Sequence, residues 1–216
     1  VLRNIIINDW FTASIIICII FIAAAKLMFP NRFNDFIAIL GNSNYLKIYI
    51  KDQRFVNIFD GLLFINLVIS LSIFVILSIS NIEINLQDQN LDLIYKLFIG
   101  IGSVLIIKAL LDRLIGSLFE IDELMNDYVF QKITYKNYIG LVLLPINIIL
   151  IYAIQPTKSI IISALFLLFA VGFMGFLESV KTHLKLIKVN LFYFILYLCA
   201  LEIAPYLILY KVLNNY

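Results

Sequence analysis

The sequence predicts an all-α, polytopic transmembrane helical bundle of about six spans with short amphipathic cytoplasmic segments. Three observations predict it. The chain has 216 residues, of which 63% are hydrophobic and only 14% charged, where a soluble domain carries about 45–50% and about 25%. Its mean hydropathy is +1.02, an excess that one modest soluble core cannot absorb. Apolar runs such as Ser14 to Ala25 and Leu62 to Ile79 recur along the whole length. Hydrocarbon offers open backbone groups no partner, so such runs must cross as helices.

A bilayer core of about 30 Å needs about 20 helical residues. Six stretches of a single integral domain, 1–216, qualify: 10–29, 56–80, 93–114, 138–154, 159–177 and 189–210. Pro30 stops the first and Pro156 follows the fourth. Ala23-Ala24-Ala25 resembles a signal-peptide cleavage site. The run before it is long for a signal peptide, however, and positive charge follows it, so a retained anchor is expected. Orientation follows from Lys and Arg. With both termini periplasmic, twelve of the 16 basic residues fall inside, including Lys26, Arg32, Lys108, Arg113, Lys132 and Lys136. Arg3, Lys96, Lys158 and Lys211 fall outside.

Two connections exceed a turn. In Asn31 to Phe55, the residues Phe33, Phe36, Ile37 and Leu40 recur at helical spacing beside Arg32 and Asp35, as in a helix lying in the membrane interface. Tyr45 to Lys51 reads as a short strand or as more of that segment. In Ile115 to Asn137, Leu114, Leu118, Ile121 and Met125 continue a stripe from the third span, and Glu120, Asp122, Glu123 and Asp127 make the other face acidic. That face is a solvated helix end, or a docking face for Lys47, Lys51 and Arg54 or a basic partner.

Ionisable groups within a membrane cost a few kcal/mol on insertion scales, which makes them candidate sites. Glu202 lies about 12 residues into the sixth span, with Pro205 three residues on. Proline frees the carbonyl four residues back, here Leu201, beside that carboxylate. The pair is an ion or proton site, or Glu202 is a packing hydrogen bond. Asn147 and Pro145 interrupt the fourth span in the same way. Lys108, Asp112 and Arg113 form a charge cluster at the cytoplasmic end of the third span. Gly100, Gly102, Gly172 and Gly175 suit close helix contact.

Cys18 and Cys199 fall in apolar runs and read as small buried hydrophobes. One histidine, His183, leaves little for a metal site. No cofactor motif and no basic, aromatic-interleaved stripe for nucleic acid is present. The lipid bilayer and other inner-membrane proteins are the partners expected.

Phe192 to Tyr206, with Glu202 and Pro205, is the most distinctive stretch, followed by Tyr138 to Asn147 and Phe29-Pro30-Asn31-Arg32-Phe33. On these the chain resembles a family of small polytopic inner-membrane proteins of Gram-negative bacteria, catalogued as a domain of unknown function. The resemblance implies an inner-membrane location and carries no activity. Three functions stay open. The first is a non-enzymatic membrane component or assembly partner acting through helix packing. The second is a small-solute, ion or proton transporter using Glu202 and Asn147. The third is an intramembrane enzyme acting on lipid.

Overall fold

The computed structural model describes residues 9–40, 44–49, 57–80, 91–118, 122–154 and 157–189. Glu202, Pro205 and Cys199 lie outside them, as do Lys51, Arg54 and Glu120. The described residues are almost all helical, without a strand among them. In order they form α1 (Asp9–Met28), α2 (Pro30–Ile37) with a 3-10 turn (Ala38–Leu40), α3 (Asn44–Tyr49) and α4 (Ile58–Ser80). Then come α5 (Leu91–Leu118), α6 (Asp122–Ile148) with a π turn (Ile149–Ala153), and α7 (Lys158–Val189).

Among the described residues, four helical stretches are long and apolar enough to cross a membrane: Trp10–Met28, Ile58–Ser78, Asn126–Ala153 and Lys158–Gly175. The fifth long helix, α5, has 28 residues and includes Lys96, Lys108, Asp112 and Arg113. Several hydroxyls on these helices bond their own backbone. Ser72 Oγ donates to the Val68 carbonyl, Ser78 Oγ to Phe74 and Thr134 Oγ1 to Phe130, each at 2.8 Å. That pattern lets a polar side chain lie on an apolar helix without an orphan donor.

α4 and α6 are the central pair, and α4 is the more enclosed: 56% of its apolar window is buried, against 22% for α1 and 28% for α7. The two run parallel, with Asn137 beside Asp60 and Asn147 beside Ser70. Between them the backbones approach at Gly140, where an added Cβ would fall 2.6 Å from Leu67 Cα. α1 runs antiparallel to α4, with Ala25 grouped with Phe59 and Leu63 at one end, and Phe11 and Ile15 with Ile73 and Ile76 at the other. α5 also opposes α4, placing Gly102 against Val68. α7 opposes α6, with Gly175 closed over the Tyr135 ring and Ile161 and Ala164 packed with Leu143 and Leu150.

α1 ends because Phe29 precedes a proline, which disfavours helical backbone at the residue before it. Phe29 takes φ −135° and ψ 63°, and Pro30 opens α2 where its missing N–H costs nothing. The chain then crosses the end of the bundle as α2, the 3-10 turn and α3. Their buried face is Phe33, Phe36, Ile39, Tyr45 and Leu46. Of the expected stripe, Phe33 and Phe36 are buried, whereas Ile37 and Leu40 are exposed. The stripe continues through Ile39 because the helix tightens to 3-10 after Ile37, with three residues per turn. Tyr45 to Tyr49 is helical, which decides between the two readings of that stretch.

α5 runs four residues past its expected end, and two helices extend much further. α6 begins at Asp122, so most of the Ile115–Asn137 connection is helix, with Tyr128 to Gln131, Thr134, Tyr135 and Asn137 buried. α7 runs on to Val189, past Leu177. Gly100, expected at a helix contact, faces open space: a Cβ there would meet nothing within 4 Å.

The Gly140 contact yields a direct prediction. Gly140→Ala drives a methyl into the α4 backbone, and overpacking of this kind costs about 1–3 kcal/mol. Gly100→Ala meets no atom and should hold or gain stability, since alanine is the better helix former. Thermal unfolding of the two detergent-solubilised variants, read by circular dichroism, checks the contrast.

Candidate functional site

The polar groups gather at the end of the bundle that α2 and α3 cover. Asp60 lies in the first turn of α4, at the rim of an apolar helix. Arg32, on α2, reaches it with Nη2 2.8 Å from Oδ2, the two side chains 12% and 19% exposed. Arg32 Nε also donates to the Tyr45 hydroxyl at 3.2 Å. Its guanidinium lies 4.7 Å from the Phe59 ring centroid and 5.1 Å from that of Tyr49. A planar cation suits this place, since it pairs with a carboxylate and stacks on rings together. Burial opposes the Arg32 charge, but Asp60 and Tyr45 outweigh it and raise its pKa above the ordinary arginine value. Burial, with Asp60 adding to it, pushes the Tyr45 hydroxyl up, so it stays neutral.

Around this ion pair the aromatic rings interlock. Phe36 meets Tyr45, Phe59 and Tyr138 with ring centroids 5.7–5.8 Å apart. Tyr45 stacks on Phe130 of α6 at 6.2 Å. Such pairs add about 0.5–1.5 kcal/mol each beyond their buried area. The cap is thus held to α4 by charge and ring contacts and to α6 by aromatic packing.

Next to the pair, α4, α5 and α6 enclose a cavity of about 430 Å3. Gly61, Phe64 and Leu67 of α4, Ile106, Ala109 and Leu110 of α5, and Ile133 of α6 make its apolar wall. Asp60, Arg113, Lys136 and Asn137 make its polar end. Asn137 is fully buried; its Nδ2 donates to the Asp60 carbonyl at 3.3 Å, and its Oδ1 has no hydrogen-bond partner among the described residues.

The residues singled out from sequence distribute unevenly. Asp112 is buried and pairs with Lys132 of α6 at 2.8 Å, tying α5 to α6. Arg113 lines the cavity and Lys108 is half-buried one turn earlier. Asn147 is buried and donates to the Ser70 carbonyl at 2.9 Å, joining α6 to α4. Pro145 is exposed on α6, and four residues on the bonding changes to a π turn, closed by Ile154 N to Ile149 O at 3.0 Å. Cys18 is buried with Sγ 3.9 Å from Ser70 Oγ.

Sequence reasoning missed Asp60, Asn66, Gln131 and Asn137. Asp60 was legible as an acid four residues inside an apolar run. Asn66 and Gln131 are fully buried, and neither amide has a hydrogen-bond partner among the described residues.

Among the described residues the structure is a helical bundle with four apolar helices of membrane-crossing length, the architecture of a membrane protein. The chain belongs to the family described as Domain of unknown function (DUF4271), whose profile matches residues 11–213. No curated protein and no solved structure matches the chain.

Removing one partner of the Arg32–Asp60 pair leaves a poorly solvated charge, which is worse than removing both. Arg32→Met and Asp60→Leu should each lower the melting temperature. The double variant should lose less than the two single losses added together. Full additivity in that cycle would show that the two groups are not coupled.

Proposed function

We propose that this chain is a multi-pass protein of a Gram-negative inner membrane that works as a non-enzymatic membrane component, through helix packing with other membrane proteins. Its six spans would be α1, α4, α5, α6, α7 and the 189–210 stretch, with the α2–α3 cap cytoplasmic. The clustering of charge supports that orientation: Lys26, Arg32, Arg113, Lys132 and Lys136 share the capped end, while Lys96 and Lys158 lie towards the other. An excess of Lys and Arg marks the cytoplasmic side.

One observation carries the structural role. Several polar side chains within the bundle tie helices together: Asn147 and Asn137 to α4, Lys132 to α5, Cys18 near Ser70. Polar groups used in this way fix helix contacts in lipid. Outside the bundle, α7 presents Phe166, Phe169 and Phe173, each at least half exposed. Phe169 and Phe173 are stacked 6.2 Å apart, which makes a broad apolar face.

The second reading is a small-solute, ion or proton transporter with Glu202 as its intramembrane group. Asn66 and Gln131 favour it: neither amide has a partner among the described residues, and an unpaired amide inside a membrane bundle is costly unless a polar path or ligand uses it. Purification of wild type and Glu202→Gln from native-host membranes in mild detergent, with growth of a deletion strain as a second readout, separates the two. The packing reading expects a companion protein at fixed stoichiometry with both chains, and full complementation by Glu202→Gln. A chain that purifies alone, together with failed complementation by a normally abundant Glu202→Gln, would contradict it and favour transport.

A further inference from the structure

We propose that Trp10, Tyr95 and Tyr152 form an aromatic belt that meets the phospholipid headgroups of the leaflet away from the cap, and that α5 crosses the bilayer between Tyr95 and Arg113. The inference rests on the reading that this bundle stands in a membrane. It adds where the hydrocarbon ends and which residues meet the lipid surface there.

Three helices bring these aromatics to one end of the bundle. Trp10 lies at the start of α1, Tyr95 near the start of α5, and Tyr152 in the π turn that closes α6. Trp10 and Tyr95 meet edge to face with ring centroids 6.4 Å apart. The Tyr152 hydroxyl lies 2.6 Å from Thr12 Oγ1, two residues from Trp10 on α1. All three side chains are about half exposed, at 48%, 53% and 43%. Farther along α5 the exposed residues include Ile99, Val104 and Leu110, which suit hydrocarbon. Tryptophan and tyrosine instead carry a polar tip on a broad apolar ring, and that combination gathers at membrane–water interfaces. Lys96, beside Tyr95, and Lys158, at the start of α7, are exposed at the same end and can extend to the headgroups.

The spacing to the capped end matches a bilayer. Trp10 and Met28 are eighteen residues apart, and so are Tyr95 and Arg113. At 1.5 Å per residue each interval is about 27 Å, against a hydrocarbon core of about 30 Å. Just past Met28 the chain turns into the cap, and Arg113 lies at the polar end of the cavity beside it. Two helices thus measure the same thickness from the same belt. Lys108 and Asp112 fall inside the α5 interval but towards its capped end, where Asp112 is paired with Lys132.

Trp10 is the single tryptophan of the chain, so its fluorescence reports this depth directly. The full chain would be reconstituted into vesicles of phosphatidylcholine brominated either high on its acyl chains, near the headgroup, or low, near the bilayer centre. Shallow bromine should quench Trp10 more than deep bromine. In a Trp10→Phe chain, Tyr95→Trp and Tyr152→Trp should repeat that order. Val104→Trp, at a position 64% exposed and midway between Tyr95 and Arg113, should reverse it. Any of the first three tryptophans not quenched more by shallow bromine overturns the belt. A Val104→Trp chain not quenched more by deep bromine overturns the crossing by α5. Deep quenching at Val104→Trp with the belt order lost sinks the belt alone, whereas no quenching at any position sinks the membrane reading with it.

Discussion

With no side chain at Gly140, α6 lies close enough on α4 that a single methyl would meet the Leu67 backbone. Most of the remaining arrangement depends on that approach. It brings Asn147 within reach of the Ser70 carbonyl and Asn137 within reach of the Asp60 carbonyl, one tie on each side of the glycine. With the central pair fixed in parallel, α1 and α7 take the outer faces as antiparallel neighbours. α5 opposes both central helices and is pinned to α6 by the ion pair of Asp112 and Lys132. In lipid there is little hydrophobic drive between helices, so close backbone packing and interhelical polar contacts have to supply the specificity.

The capped end follows from the same geometry. α4 starts with Asp60 in a place where a lone carboxylate would be costly, and Arg32 is delivered to it by the sharp turn at Phe29-Pro30. The guanidinium is then enclosed by Phe59, Tyr45 and Tyr49, which lets a short amphipathic segment hold tightly to the bundle. Beside it, α4, α5 and α6 line a cavity with an apolar wall and a polar end. Charge pairing, cap and cavity thus form one connected region of the fold.

Much of the architecture was legible because membrane helices announce themselves by length and hydropathy: α1, α4 and the start of α7 begin within about two residues of where the runs place them. What was hidden was hidden for physical reasons. The first half of α6 is rich in polar residues, so Gln131, Thr134 and Asn137 read as a solvated connection although the packing buries them. Gly140 looks like any other glycine until Leu67 is placed opposite it. Phe33 and Phe36 were legible from helical spacing, while the turn to 3-10 geometry moved the next contact from Leu40 to Ile39. Of the candidate polar groups, the pattern pointed to Asn147, Asp112 and Arg113 as polar residues of the spans. It carried no signal for their partners Ser70 and Lys132, which are far away in sequence.

The central claim is that these helices cross a membrane with the α2–α3 cap on the cytoplasmic side. Cysteine accessibility tests it most directly. In a chain with Cys18 and Cys199 replaced by serine, Asn34→Cys marks the exposed face of α2 and Lys158→Cys the exposed start of α7. A membrane-impermeant maleimide applied to cells with a permeabilised outer membrane should label Lys158→Cys at once. It should reach Asn34→Cys only after the inner membrane is opened. Equal labelling of both positions before opening would place them on one side and contradict the account.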